Sequence, residues 1–252
     1  MPPLNNKKKG NNMNYNDFEL KNLSVDEQLS MSSAFPVLMR KVYVWMTLAL
    51  VITGFTAYGV ATSPGVLQLI FGNQILFWGM IIAELALVIG VSAAINRLSL
   101  TTATLMFILY SVINGALFSS IFLIYTASSI ATVFFITAGT FGVMALIGYT
   151  TKTDLTSIGK YLFMALIGLI IATLVNMFIK SEGFTYILSY IGVLIFVGLT
   201  AYDSQKIKQM LLQAPDAGEG AQKLALLGAL TLYLDFINLF IYLLRIFGRS
   251  RD

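Results

Sequence analysis

Apolar runs separated by short polar links recur seven times along this chain, at 42–62, 75–95, 102–123, 129–149, 161–179, 184–203 and 224–244. A helix rising ~1.5 Å per residue needs about twenty apolar residues to cross a hydrocarbon core of ~30 Å. Each run therefore predicts one transmembrane helix, and together they predict an all-α membrane protein, a seven-transmembrane-helix bundle spanning residues 36–252. The links are short. "TSPGVLQLIFGNQ" carries the Pro64–Gly65 pair that breaks a helix, and the link 204–223, which ends in "QAPDAGEGAQK" before the last span, is the longest and most polar. Residues 1–35 form a contrasting polar segment rich in Asn, Lys and Ser, with no apolar run long enough for a secretory signal. They are expected to be a disordered tail with one short helix after Ser24.

Composition agrees with this pattern and narrows the chemistry. Hydrophobic residues make up 57% of the chain and charged residues only 11%, against about 45–50% and 25% in soluble domains. The chain has no Cys and no His. Disulfides, thiolate or imidazole metal sites and histidine proton shuttles are thereby excluded, so titration near neutral pH has to rest on carboxylates. The net charge of +4 does not imply nucleic acid, because the basic residues lie in tails and loops beside membrane spans. Lys7, Lys8 and Lys9 are read as a solvated charge run rather than a headgroup-binding patch.

Orientation follows from where the cations fall. With the N-terminus inside, the tail, Arg97, Lys152, Lys160, Lys206, Lys208 and Lys223 are inside, and only Lys180, Arg245, Arg249 and Arg251 are outside. The positive-inside bias favours that arrangement. The terminal "RIFGRSRD" opposes it, so the last segment either spans against its local bias or dips in and returns. A central, enclosed last helix is the preferred reading, because it hides that helix's polar residues from lipid.

Those polar residues are the candidate chemistry. Gly228, Thr231, Asp235, Asn238 and Tyr242 recur at steps of three and four, which puts them on one helical stripe. Small residues alone would make a packing seam, but a mid-span carboxylate costs ~2.5–3.5 kcal/mol on insertion scales and points to function. Asp235 and Glu84 each lie eleven residues inside their spans, roughly 16 Å deep. Asp203 and Arg97 lie near the inside ends of theirs, although a helix running on through "DSQKIKQMLL" would set Asp203 deeper. If Asp203 and Asp235 face each other they should share one proton and titrate as a unit, and Arg97 could hold the ionised form through a charge-assisted hydrogen bond. Glu84 either lines the same cavity or pairs with Asn114. Ser111, Gly115 and Ser119, at steps of four, are read as a helix-packing ridge.

"GLTAYDSQKI" followed by "LTLYLDFINLFIYLLRIFG" resembles the Bax inhibitor family, the transmembrane Bax inhibitor motif proteins, with likeness from about residue 36 to the end. The resemblance implies a prokaryotic-type member: a seven-helix bundle with the last helix central, in the bacterial inner (plasma) membrane, N-terminus cytoplasmic, and associated with pH-sensitive calcium leak. It implies that Asp203 and Asp235 form a di-aspartyl pH sensor and that Arg97 latches it. Calcium is then the transported ion, with no cofactor; Asp203 and Asp235, helped by Asn238, would hold it weakly and transiently. Glu84, Asn114 and Asn238 are the further pore-lining candidates. The expected partners are the lipid bilayer, calcium and protons. "RIFGRSRD" is only a remnant of the basic tail of eukaryotic relatives, and no cell-death role is carried over.

Three rival readings remain at this stage. An intramembrane aspartyl protease would also use two aspartates on successive helices, but this chain has Leu-Tyr-Leu-Asp where Gly-x-Gly-Asp is expected, and no proline after Pro215. Serine–histidine chemistry is excluded by the missing histidine. A non-conducting regulatory partner of a membrane protease or channel would use the polar residues as glue. A proton-coupled transporter would use them as a relay, although no inverted repeat is evident.

Overall fold

Nine helices are connected without a β-sheet among the described residues of the computed structural model, which are 25–251, with side chains described from residue 33. They are α1 (Val25–Ala61), α2 (Pro64–Phe71), α3 (Gln74–Ala94), α4 (Leu100–Phe118), α5 (Ile121–Ile124), α6 (Ala127–Thr150), α7 (Thr156–Ile179), α8 (Glu182–Leu212) and α9 (Glu219–Phe247). Seven are long and apolar enough to cross a membrane: α1, α3, α4 with α5, α6, α7, α8 and α9.

The links stop the helices by identifiable means. Pro64 opens α2, where its missing N–H costs no hydrogen bond. Asn73 caps α3 by accepting from Ile75 N and Leu76 N at 3.0 and 3.1 Å. Ser99, Thr126 and Ser181 cap α4, α6 and α8 in the same way. Lys180 ends α7 in the left-handed conformation, at φ 55°.

Several helices outrun the apolar segments that marked them. The short helix expected after Ser24 is the first part of α1, which continues through Pro36 into the first span. Of the disordered tail assigned to 1–35, residues 25–35 belong to this helix and the rest lie outside the described residues. At the other boundary that matters, α8 runs nine residues past 203, to Leu212. Hydropathy falls where the chain leaves the hydrocarbon, but backbone hydrogen bonding need not stop there.

α9 is the most buried of the seven spans, and it packs against α8, α1, α6 and α4. Close approach depends on glycine at particular points. A Cβ on Gly148 would collide with the backbone of Ala201, so α6 and α8 touch there. A Cβ on Gly115 would lie 2.5 Å from Thr53 O of α1. Ser111, Gly115 and Ser119 are all buried, and Ser111 O accepts from Thr53 Oγ1 at 3.0 Å. The predicted ridge is thus the α4 side of the α1–α4 seam.

The C-terminal segment docks on the link between α5 and α6. Thr126 N donates to Arg249 O at 3.1 Å, and Arg251 N donates to Ile124 O at 2.8 Å. Arg249 N donates to Ser129 Oγ at 2.9 Å. That link follows three crossings and the C-terminus follows seven, so both lie at the end of the bundle opposite the start of α1. The last segment crosses fully and does not return.

At the other end, Gln205 clamps the α6–α7 link to α8. Its Oε1 accepts from Leu155 N and its Nε2 donates to Thr153 O, both at 2.8 Å. Lys208 Nζ adds a 2.7 Å bond to Tyr149 O. Substituting Gln205→Ala removes two such bonds at ~0.5–1.5 kcal/mol each, so a destabilisation of about 1–3 kcal/mol is expected in thermal unfolding of the detergent-solubilised protein.

Candidate functional site

A cavity of about 880 Å³ opens between α7, α8 and α9. From α9 it receives Thr231, Asp235, Asn238 and Tyr242, four of the five members of the predicted stripe. The fifth, Gly228, instead packs on Ile207 of α8, whose Cγ2 would lie 3.0 Å from an added Cβ. α8 contributes Tyr202, Asp203 and Lys206. Gly159 of α7 makes room for the Tyr202 ring, which occupies the space its Cβ would need.

Asp203 of α8 and Asp235 of α9 both line this cavity, and their carboxyl groups act on each other. They are 9% and 4% exposed respectively. Asp235 Oδ2 is buried and has no hydrogen-bond partner. An orphaned carboxylate oxygen at this depth is costly, which makes it a natural place for a proton, an ion or a water. Asn238 Nδ2 donates to Leu234 O at 2.8 Å, so the amide group is held from within its own helix while its side chain lines the cavity. Among the described residues no three acidic side chains converge on one point.

The cation that acts on Asp203 is Lys206, one turn further along α8, with its Nζ 5.8 Å from the centre of the Tyr202 ring. Arg97 lies elsewhere. It is exposed, in the turn after α3, and among the described residues the single ion pair is Lys223–Glu219 at 3.8 Å. The structure thus brings Asp203, Asp235 and Asn238 together and leaves Arg97 apart.

Glu84 and Asn114 form a second buried polar group, on the other side of α9. Asn114 Nδ2 donates to Glu84 Oε1 and lies 3.3 Å from Tyr110 OH. Tyr233 OH donates to Asn114 Oδ1 at 3.1 Å and meets Thr53 Oγ1 at 2.7 Å. Of the two roles open to Glu84, pairing with Asn114 is the one found. Tyr233 is two residues from Asp235 and so projects from a different face of the helix. Sequence reasoning did not select Tyr233, Tyr110 or Thr53. The available signal was a tyrosine at mid-span, whose hydroxyl must find a partner in the membrane interior.

Comparison with known proteins places the chain further. The family model described as "Inhibitor of apoptosis-promoting Bax1" matches residues 36–252. "Inner membrane protein YbhL" of Escherichia coli K12 is 54% identical over 214 residues, covering 84% of this chain and 92% of that protein. An uncharacterized protein of Borreliella burgdorferi is 47% identical over 214 residues, covering 85% and 92%. One from Deinococcus radiodurans is 38% identical over 214 residues, covering 85% and 90%.

Proposed function

Because this integral membrane protein belongs to the Bax inhibitor family, we propose that it is a pH-sensitive calcium leak pathway of the bacterial inner membrane, gated by the Asp203–Asp235 pair. The observation that carries this reading is the facing of two buried carboxyl groups, one with an orphaned oxygen, on the wall of one cavity. Two carboxylates in such contact share a proton and titrate together. Each proton gained removes negative charge that a hard cation needs in order to enter, so proton and calcium compete for one place. Lys206, rather than Arg97, is the cation we assign to the pair. The N-terminus is assigned to the cytoplasmic side by the distribution of Lys and Arg, which puts the Asp203 end of the cavity toward the cytoplasm.

The test is calcium entry into dye-loaded liposomes carrying the purified protein, scanned from about pH 5 to pH 8. Flux above protein-free vesicles that changes across this range is expected. A flux equal to that of empty vesicles would remove the leak, and a flux independent of pH would remove the sensor. Facing aspartates are also what an aspartyl protease needs, so a model transmembrane peptide belongs in the same preparation. Its cleavage, abolished by Asp235→Ala, would put hydrolysis in place of conduction.

A further inference from the structure

On the face of the bundle away from the aspartates, α1 and α6 both pack on α8 and α9 but barely touch each other. A cleft of about 790 Å³ separates them, with Phe236 of α9 as its floor. Its walls are apolar apart from Thr47 and from one end, where Arg40, Tyr43 and Tyr149 gather. A further recess shares Leu50, Phe134 and Phe236 with it and carries the cleft on toward Ala57.

Two features bear on what fills this cleft. The first is room: a Cβ at Gly142 or at Gly54 would meet nothing within 4 Å, as is also true of Gly59, Gly79, Gly139 and Gly168 on other exposed faces. The second is its length. From Arg40 to Leu50 is ten residues of α1, or ~15 Å, the depth of one leaflet of a ~30 Å hydrocarbon core. Arg40 is exposed and makes no ion pair among the described residues. It stands at the polar end beside two tyrosines, the residues that favour headgroup depth.

We infer that this cleft is a binding site for one anionic glycerophospholipid, with an acyl chain laid between α1 and α6 down to Phe236 and its phosphate held by Arg40. The cavity size is that of a small-molecule site. An apolar slot open to the bilayer would otherwise forfeit the dispersion contacts of its lining. A guanidinium gives the phosphate paired, charge-assisted hydrogen bonds that a neutral side chain cannot replace. The site touches α9 at Phe236, the residue after Asp235 and about 100° around the helix from it.

Native mass spectrometry of the full chain released from nanodiscs of phosphatidylcholine and phosphatidylglycerol in equal parts tests this. The wild type is expected to retain one phosphatidylglycerol in preference to phosphatidylcholine. Arg40→Gln, at an exposed position, is expected to reduce that preference about tenfold, the loss of one charge-assisted contact. Gly142→Leu, whose side chain enters open space, is expected to lower retention of both lipids. Equal retention of the two lipids by the wild type, an undiminished preference in Arg40→Gln, or a lipid-free dimer in place of the lipid-bound chain would each overturn the proposal. If Gly142→Leu does not fold, the Arg40→Gln comparison decides alone.

Discussion

Replacing both Asp203 and Asp235 with Asn is expected to leave a folded protein whose calcium flux no longer responds to pH. Asn keeps the shape of each side chain and can hydrogen-bond with its counterpart, so the α8–α9 contact survives. What it removes is the negative charge and the exchangeable proton. A charge-assisted contact is worth ~1.5–3 kcal/mol, so the pH-dependent part of the flux should fall at least about tenfold. Vesicle assays at the two ends of the pH range measure this, with circular dichroism and elution volume as controls for folding. A double variant that keeps the full pH response would place the sensor elsewhere. Each single substitution should fall between the two, because Asp203 keeps Lys206 one turn away while Asp235 is the more enclosed.

The second large effect is expected on stability, at Asn114. This amide joins Glu84 to Tyr233 and so ties α3 and α4 to α9. Leu of similar bulk would fill the space but take from the half-buried Glu84 carboxyl its amide donor, leaving Tyr110 as its remaining partner. An unsatisfied buried polar group costs ~1–3 kcal/mol, and lost interhelical hydrogen bonds add ~0.6–1.7 kcal/mol in membranes. Asn114→Leu should therefore cost about 2–4 kcal/mol. Tyr233→Phe, which removes the hydroxyl and strands no carboxyl, should cost less. Thermal unfolding in detergent ranks the two, and an Asn114→Leu protein no less stable than Tyr233→Phe would mean the network holds nothing together.

What could be seen in the sequence depended on how local its cause was. The seven spans were legible because crossing a bilayer imposes a run of apolar residues on each helix separately. The stripe on the last span was legible because 3.6 residues per turn acts within a single helix. Thr231, Asp235, Asn238 and Tyr242 share the cavity for that reason. The cation beside Asp203 was not found, and the reason is specific. Hydropathy ended the sixth span at 203, and the continuation through "DSQKIKQMLL", found in α8 as far as Leu212, was weighed for the depth of Asp203 and not for its neighbours. Only on that continuation does Lys206 stand one turn from Asp203 and Gln205 reach the α6–α7 link. Arg97 was chosen instead as a cation at the same depth, but depth says nothing about which helices are neighbours. The partners of Tyr233 were out of reach for a related reason: Thr53 is 180 residues away along the chain. The meeting of Asp203 with Asp235 is also non-local. It was anticipated from the cost of an acid at mid-span and from the family resemblance, not from spacing.

The family and the membrane-spanning fold bound the function without fixing it, since a fold hosts many chemistries and only the site can argue for one. Here the site is two carboxyl groups, an amide and a lysine on the wall of one cavity, with a separate polar network holding the opposite side of α9. Under the gating we propose, that division leaves the cavity side of α9 to respond to protonation while Tyr233 anchors the other.

The claim beneath all of this is that side chains 203 and 235 meet across α8 and α9, and the cysteine-free chain allows it to be measured directly. Asp203→Cys and Asp235→Cys, introduced together, are to be treated in membranes with a short bifunctional thiol reagent and weighed by intact mass. One reagent bridging both thiols in a monomer is the expected result. Two reagents attached separately to the same chain would show that the residues do not face each other.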